Sequence, residues 1–98
     1  MNVVVDSRVN KIINRFSRTD RSRIQRTIEL FEERGFDLNK IHLKRLTKNL
    51  WELRPGNIRL LFGLIDDQVI IVNAFVKKTN KTPPHELQIA ERRFRQNI

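Results

Sequence analysis

Arg54, Arg59, Lys77 and Lys78 are the residues of this sequence whose types and spacing suit chemistry on an anion. Arg54 and Arg59 flank the turn segment Pro55-Gly56-Asn57, and Lys77-Lys78 directly follow an apolar run. Lys81 stands close behind, while Lys44, Arg45 and Lys48 precede the first run. An arginine presents a planar fork that matches phosphate oxygens and keeps its charge, so it suits charge stabilisation. A lysine among other cations is a candidate base. Two distant histidines without cysteine give no zinc pattern. Asp66-Asp67 reads as a turn rather than a magnesium site.

Three strands must position these cations. Leu50–Arg54, Ile58–Ile65 and Val69–Val76 are short runs of branched and aromatic residues separated by turn segments, which reads as an antiparallel meander. A four-residue connection at Pro55-Gly56 pairs Arg54 with Arg59 and puts both on one face. With a two-residue Asp66-Asp67 turn, that face carries Glu52, Arg54, Arg59, Leu61, Gly63, Val72, Ala74, Val76 and Lys78. The opposite face carries Trp51, Leu53, Ile58, Leu60, Phe62, Leu64, Val69, Ile71 and Phe75, with Asn73 as its polar exception. This large apolar face is the one to be covered by helices. Like charges opposite one another in a sheet are unfavourable, and a bound anion such as an RNA phosphate relieves them. The plainer alternative is a set of solvated cations at strand ends, one of them neutralised by Glu52.

The helices come mostly first. Val3-Val4-Val5 suits an edge strand, and Asp6 or Ser7 suits a cap. Val9, Ile12, Ile13 and Phe16 fall on one helical face. After a break at 17–20, with a cap at Thr19 or Asp20, a second helix runs from about Arg21 to Arg34, its stripe built on Ile24, Ile28 and Phe31. Gly35 stops it, and the two helices form an antiparallel hairpin. Residues 36–40 are a connector, and Ile41–Leu46 alternates like a short strand that delivers Lys44 and Arg45 beside the sheet. Thr82 as cap and Pro83 as first residue start a C-terminal helix to about Asn97. The fold class is α+β: an N-terminal helical hairpin on a small, mainly antiparallel twisted sheet, with a C-terminal helix.

The totals agree with one small domain over residues 1–98 and no repeat. The net charge of +9 points to a polyanionic partner, nucleic acid first. The absence of cysteine excludes a disulfide frame and a thiol nucleophile. No apolar run approaches the roughly 20 residues of a membrane helix, and the first residues lack a signal-peptide core. A cytoplasmic protein without cofactor, metal or membrane partner is the expectation.

LWELRPGNIRLLFGLI followed by NAFVKKTNKTPPHELQIAERR resembles the RelE/ParE toxin superfamily, in particular its phage-derived, HigB-like branch. That branch has a leucine–aromatic–glutamate–leucine–arginine strand, an arginine-bearing strand and a phenylalanine strand ending in paired lysines. A threonine–lysine–threonine–proline segment and an alanine–x–x–arginine helix follow. Thr79, Lys81, Thr82, Pro83, Glu86, Ala90 and Arg93 match the pattern.

The resemblance implies a toxin paired with an antitoxin, often of helix-turn-helix type. RelE-like members cut mRNA in the ribosomal A site, and ParE-like members poison DNA gyrase. By position it implies catalytic roles for Arg54, Arg59, Lys77 and Lys78, with Lys44, Arg45, Lys48 and Lys81 binding RNA. The chain has no tyrosine, unlike the best-known cutters, and His85 is the residue left to assist near the C-terminus. Cleavage then runs by attack of the RNA 2′-OH on the adjacent phosphate, giving a 2′,3′-cyclic phosphate and a 5′-OH. On this reading Arg59→Ala abolishes cleavage and leaves folding largely intact. The alternatives are a gyrase poison without RNA chemistry and a non-catalytic nucleic-acid-binding module.

Overall fold

A computed structural model of the protein describes residues 1–39 and 42–98. The chain opens on a strand, β1 (Asn2–Val5), and not on a helical hairpin. The helices α1 (Ser7–Ile13) and α2 (Arg18–Arg34) follow, then a 3₁₀ turn at Gly35–Asp37. Strands β2 (Leu43–Arg45), β3 (Trp51–Leu53), β4 (Ile58–Ile65) and β5 (Gln68–Val76) precede α3 (Pro84–Asn97). The described strands form one sheet in the order β1-β5-β4-β3-β2. β2 to β5 pair antiparallel, as the meander requires, but β1 runs parallel to β5, so the sheet is mixed. Ile41, the start of the expected alternating segment, lies outside the described residues.

Local chemistry sets the helix starts. The Asp6 carboxylate accepts the Arg8 backbone N–H at 2.9 Å and caps α1. Ser17, rather than Thr19 or Asp20, caps α2, accepting the Asp20 N–H at 3.1 Å, so α2 starts three residues before Arg21. Gly35 ends α2 with φ +59°, a conformation that favours glycine. Pro84, rather than Pro83, is the first residue of α3, and Pro83 takes the cap position without a side-chain hydrogen bond. Thr82 is not that cap, because its hydroxyl is committed elsewhere.

The sheet is covered on both faces. On one, Leu53, Ile58, Leu60, Phe62, Val69 and Ile71 pack with Val9 of α1 and Ile24 and Phe31 of α2, as the strand alternation requires. On the other, Leu50, Leu61, Ile70 and Val72 meet Ala90 and Phe94 of α3. One element departs from strict alternation. The pairing runs from Leu61–Asn73 to Phe62–Ile71, leaving Val72 as an extra residue in β5. Such a bulge reverses the facing of everything beyond it. Ala74 therefore joins the α1/α2 core, while Phe75 moves to the α3 side, opposite to their expected faces. The same bulge explains Asn73. It turns toward α3, where its amide donates to the Glu86 carbonyl at 3.1 Å, and Arg93 donates to the Val72 carbonyl at 3.1 Å.

At its C-terminal end α3 is tied to α1. Asp6 accepts the Arg8 guanidinium at 2.7 Å and the Asn97 amide at 3.1 Å. Arg8 holds this carboxyl well below the usual carboxylate range; burial pushes the other way, and Asn97 and the Arg8 backbone N–H assist Arg8. Its contribution to stability is present above the unfolded value near pH 4 and is lost as pH falls toward the folded value. The stability difference between parent and Asp6→Asn, followed by urea unfolding, is predicted to be constant from about pH 7 to pH 5 and to shrink below about pH 4. A difference that grows on acidification contradicts the pairing.

Gly63 gives a second check. It is buried on β4, and a methyl group there would overlap the Phe94 ring and approach the Asn49 carbonyl oxygen to 3.1 Å. Gly63→Ala is predicted to cost about 1–3 kcal/mol by overpacking. The melting temperature should fall by about 4–8 °C per kcal/mol. An unchanged melting temperature contradicts the close approach of α3.

Candidate functional site

The charged end of the sheet is built around Glu52. Its β3 position faces the α3 side, opposite Leu61 of β4 and Lys44 of β2. The residue is 2% exposed. A carboxylate so dry requires paired charges and hydrogen bonds. Arg54 supplies its Nε at 2.9 Å and Arg59 its Nε at 3.7 Å, both to the same oxygen, Oε1. The Thr82 hydroxyl donates to the other, Oε2, at 2.8 Å. Strand β3, strand β4 and the segment before α3 thus meet on one side chain.

The β3–β4 turn positions the arginines. Leu53 pairs with Leu60, which leaves the expected four-residue connection and sets Arg54 across from Arg59. Gly56 takes φ +59° in that turn. Arg59 is 9% exposed and donates through Nη1 to the carbonyls of Gly56 and Ile58, each at 2.9 Å. Burial lowers its pKa; Glu52 raises it and Arg54 lowers it further. A guanidinium starts high enough to remain charged through this.

The lysines come from the following segment. The Lys77 backbone N–H donates to the Asn57 carbonyl at 2.7 Å, extending the β4–β5 ladder beyond Val76. From there residues 77–83 curl around Glu52, with the Thr79 hydroxyl donating to the Lys81 carbonyl at 3.0 Å. Arg59, Lys77, Lys78 and Lys81 line a polar notch whose floor is Glu52 and Thr82. Glu52 is already matched by two arginines, so the notch presents uncompensated positive charge. It can hold a phosphate oxygen and supply protons from ammonium groups.

The remaining candidates lie elsewhere. Arg54 also borders a second groove, formed with Phe36, Leu43, Lys44, Arg45 and Trp51. There Arg45 sits over the Trp51 ring, 5.2 Å from its centroid, and donates to the Thr47 and Lys48 carbonyls. Lys48 is exposed in the turn before β3. His85 lies in a different groove, with Arg8, Ile89, Arg92, Arg93 and Gln96. It does not line the notch, so proximity in sequence to Lys81 did not bring it there. Asp66-Asp67 is the two-residue turn, with Asp66 at φ 55°. Among the described residues no group of three His, Asp or Glu is placed to hold a metal ion.

Glu52, expected at most to neutralise one solvated cation, binds both arginines, and Thr82, expected as a helix cap, completes the site. The signal was present: Glu52 is the one acid that alternation places on the face of Arg54 and Arg59.

This fold is similar to that of the RelE toxins. In the RelE–RelB complex of Pyrococcus horikoshii OT3, the matched chain has a TM-score of 0.67 at 17% identity, over 79% of this chain and 94% of that one. The RelB–RelE complex of Methanococcus jannaschii matches with a TM-score of 0.63 at 20% identity, over 74% and 88%. The isolated E. coli RelE toxin matches with a TM-score of 0.60 at 16% identity, over 93% and 96%. Residues 11–95 match the family described as Phage derived protein Gp49-like (DUF891), and the chain belongs to that family. No curated protein matches it in sequence. The resemblance read from Leu50–Arg93 is borne out for family and fold.

Removing Glu52 leaves Arg59 buried without its counter-charge. Glu52→Ala is predicted to destabilise the protein by about 3 kcal/mol in urea unfolding, the scale for breaking a buried pair. Stability within about 0.5 kcal/mol of the parent contradicts its central place.

Proposed function

We propose that this protein is the toxin of a toxin–antitoxin pair and that it cuts mRNA on the ribosome. The observation that carries the reading is the convergence of Arg59, Lys77, Lys78 and Lys81 around Glu52, at one end of a RelE-like sheet. The proposed partners are a cognate antitoxin of helix-turn-helix type, the ribosome and mRNA. The RelB chains in the complexes of the similar archaeal proteins support an antitoxin. A ribosomal substrate places the activity in the cytoplasm.

The chemistry needs no group beyond the chain and the RNA. A notch lysine acts as the base and takes the 2′-OH proton as O2′ bonds to phosphorus. Arg59, with Arg54 behind it, stabilises charge on the non-bridging oxygens. The P–O5′ bond breaks, and a second, protonated lysine gives its proton to O5′. The products are a 2′,3′-cyclic phosphate and a 5′-OH. His85 is not used, because it faces another groove. Glu52 holds the two arginines in place rather than reacting.

Arg59 is a poor residue with which to test this. It is buried and bonded to the turn, so Arg59→Ala perturbs the fold as well as the site. The lysines are better targets, since Lys78 and Lys81 are exposed and Lys77 is half-buried. The test adds the protein to an mRNA with and without translating ribosomes and maps 5′ ends by primer extension. The parent is expected to cut only with ribosomes and in codon register. Lys77→Gln/Lys78→Gln/Lys81→Gln is expected to lose at least about 100-fold in cutting while melting normally. A folded triple variant that cuts like the parent overturns the assignment. No cutting by a parent that arrests growth and traps gyrase on DNA overturns the function.

A further inference from the structure

We infer that the exposed face of α2 formed by Arg18, Arg23 and Arg26 is a second RNA-backbone site, continuous with the notch through Gly56. The inference rests on reading the notch as an RNA site and extends it to the strand beyond the cut.

Arg18, Thr19, Ser22, Arg23 and Arg26 line one shallow groove on α2. All five are exposed. Their spacing places them along one side of the helix, and Arg26 stands eight positions after Arg18, about 12 Å along the helix. Among the described residues none of these three arginines forms an ion pair; the pairs are made by Arg8, Arg54 and Arg59. Arg18 is the first residue of α2, where a cation opposes the helix dipole, and Asp20 is the one acid of that turn. A bound anion offsets that opposition and pairs the three free guanidinium groups.

The face is joined to the notch. A methyl group on Gly56 would meet Cδ and Nη1 of Arg23, both at 3.2 Å. The Gly56 carbonyl accepts Arg59 Nη1 at 2.9 Å. One turn residue therefore carries an α2 arginine against its Cα and a notch arginine on its carbonyl. A strand that leaves the notch and rounds the β3–β4 turn at residues 55–57 passes from the α3 face of the sheet to the α2 side.

The composition of the groove favours RNA over an acidic protein segment. Its cations are all arginine, whose fork matches phosphate, and its other groups are hydroxyls, which also bond phosphate. It has no apolar side chain, whereas protein partners are anchored by buried aromatic or aliphatic groups. Apolar lining belongs to other grooves, at Trp51 and at Ile24.

The test uses the full chain and fluorescent 2′-O-methyl RNA, which binds without supplying the attacking hydroxyl. Oligonucleotides of about four and about twelve residues separate the notch from the longer path. Anisotropy between about 50 and 200 mM KCl gives affinity and its salt slope. Arg18→Gln/Arg23→Gln/Arg26→Gln should weaken the long RNA at least about 10-fold and make its salt slope shallower by about two. Binding of the short RNA should stay within about twofold. Lys11→Gln/Arg34→Gln/Arg95→Gln, with the same net charge, should bind both like the parent. If the first variant melts early, Arg18→Gln/Arg26→Gln, which leaves Arg23 on Gly56, gives the same reading.

Equal loss in the two triple variants, or long-RNA binding equal to the parent's, overturns the inference alone. Loss of antitoxin binding with RNA binding intact assigns the face to protein and also overturns it. A parent that binds neither RNA removes the reading of the notch as well.

Discussion

The ion cluster of Glu52, Arg54, Arg59 and Thr82 is the constraint on which the working end of the molecule depends. A carboxylate at 2% exposure is stable only if its oxygens are fully matched. The partners come from three separate parts of the chain, so satisfying Glu52 brings those parts together. Thr82 draws in the segment carrying Lys77, Lys78 and Lys81. Arg59 in turn bonds the Gly56 carbonyl and holds the β3–β4 turn. The cluster thereby sets four cations around one notch while neutralising the repulsion between the two nearest the sheet.

Packing decides how much of the charged face stays open. The Val72 bulge swings Asn73 and the Val72 carbonyl toward α3, where Glu86 and Arg93 engage them. Phe94 closes over Gly63, and Asn97 reaches Asp6. α3 therefore covers the middle of the face, over Leu61, Ile70 and Val72, and leaves the rim at Arg59 and Lys77 uncovered. A flat apolar sheet surface becomes core, and only its basic edge remains for a ligand.

Much of this was legible in the residues. Alternation located the strands, and the four-residue turn gave the register that sets Arg54 across from Arg59. The helical stripes on Val9, Ile24 and Phe31 identified the side of the sheet they cover. Alternation failed at Val72, because a bulge adds a residue without altering composition, so Ala74 and Phe75 exchanged faces. The parallel pairing of β1 was hidden for a different reason: three valines suit an edge strand in either direction. Thr82 looked like a helix cap because capping is local, and its real partner is 30 positions away. His85 was assigned by nearness in sequence, but the first turn of α3 points it into a groove shared with Arg8 and Arg92.

In the proposed reaction this notch holds an RNA phosphate for attack by its own 2′-hydroxyl. The direct measurement compares a ribosome-bound mRNA with the same mRNA bearing a single 2′-deoxy nucleotide at the mapped cut, and identifies the ends formed. The first is expected to be cut, with 2′,3′-cyclic phosphate and 5′-hydroxyl ends, and the second not to be cut at that position. Equal cutting of both, or 5′-phosphate ends, contradicts it.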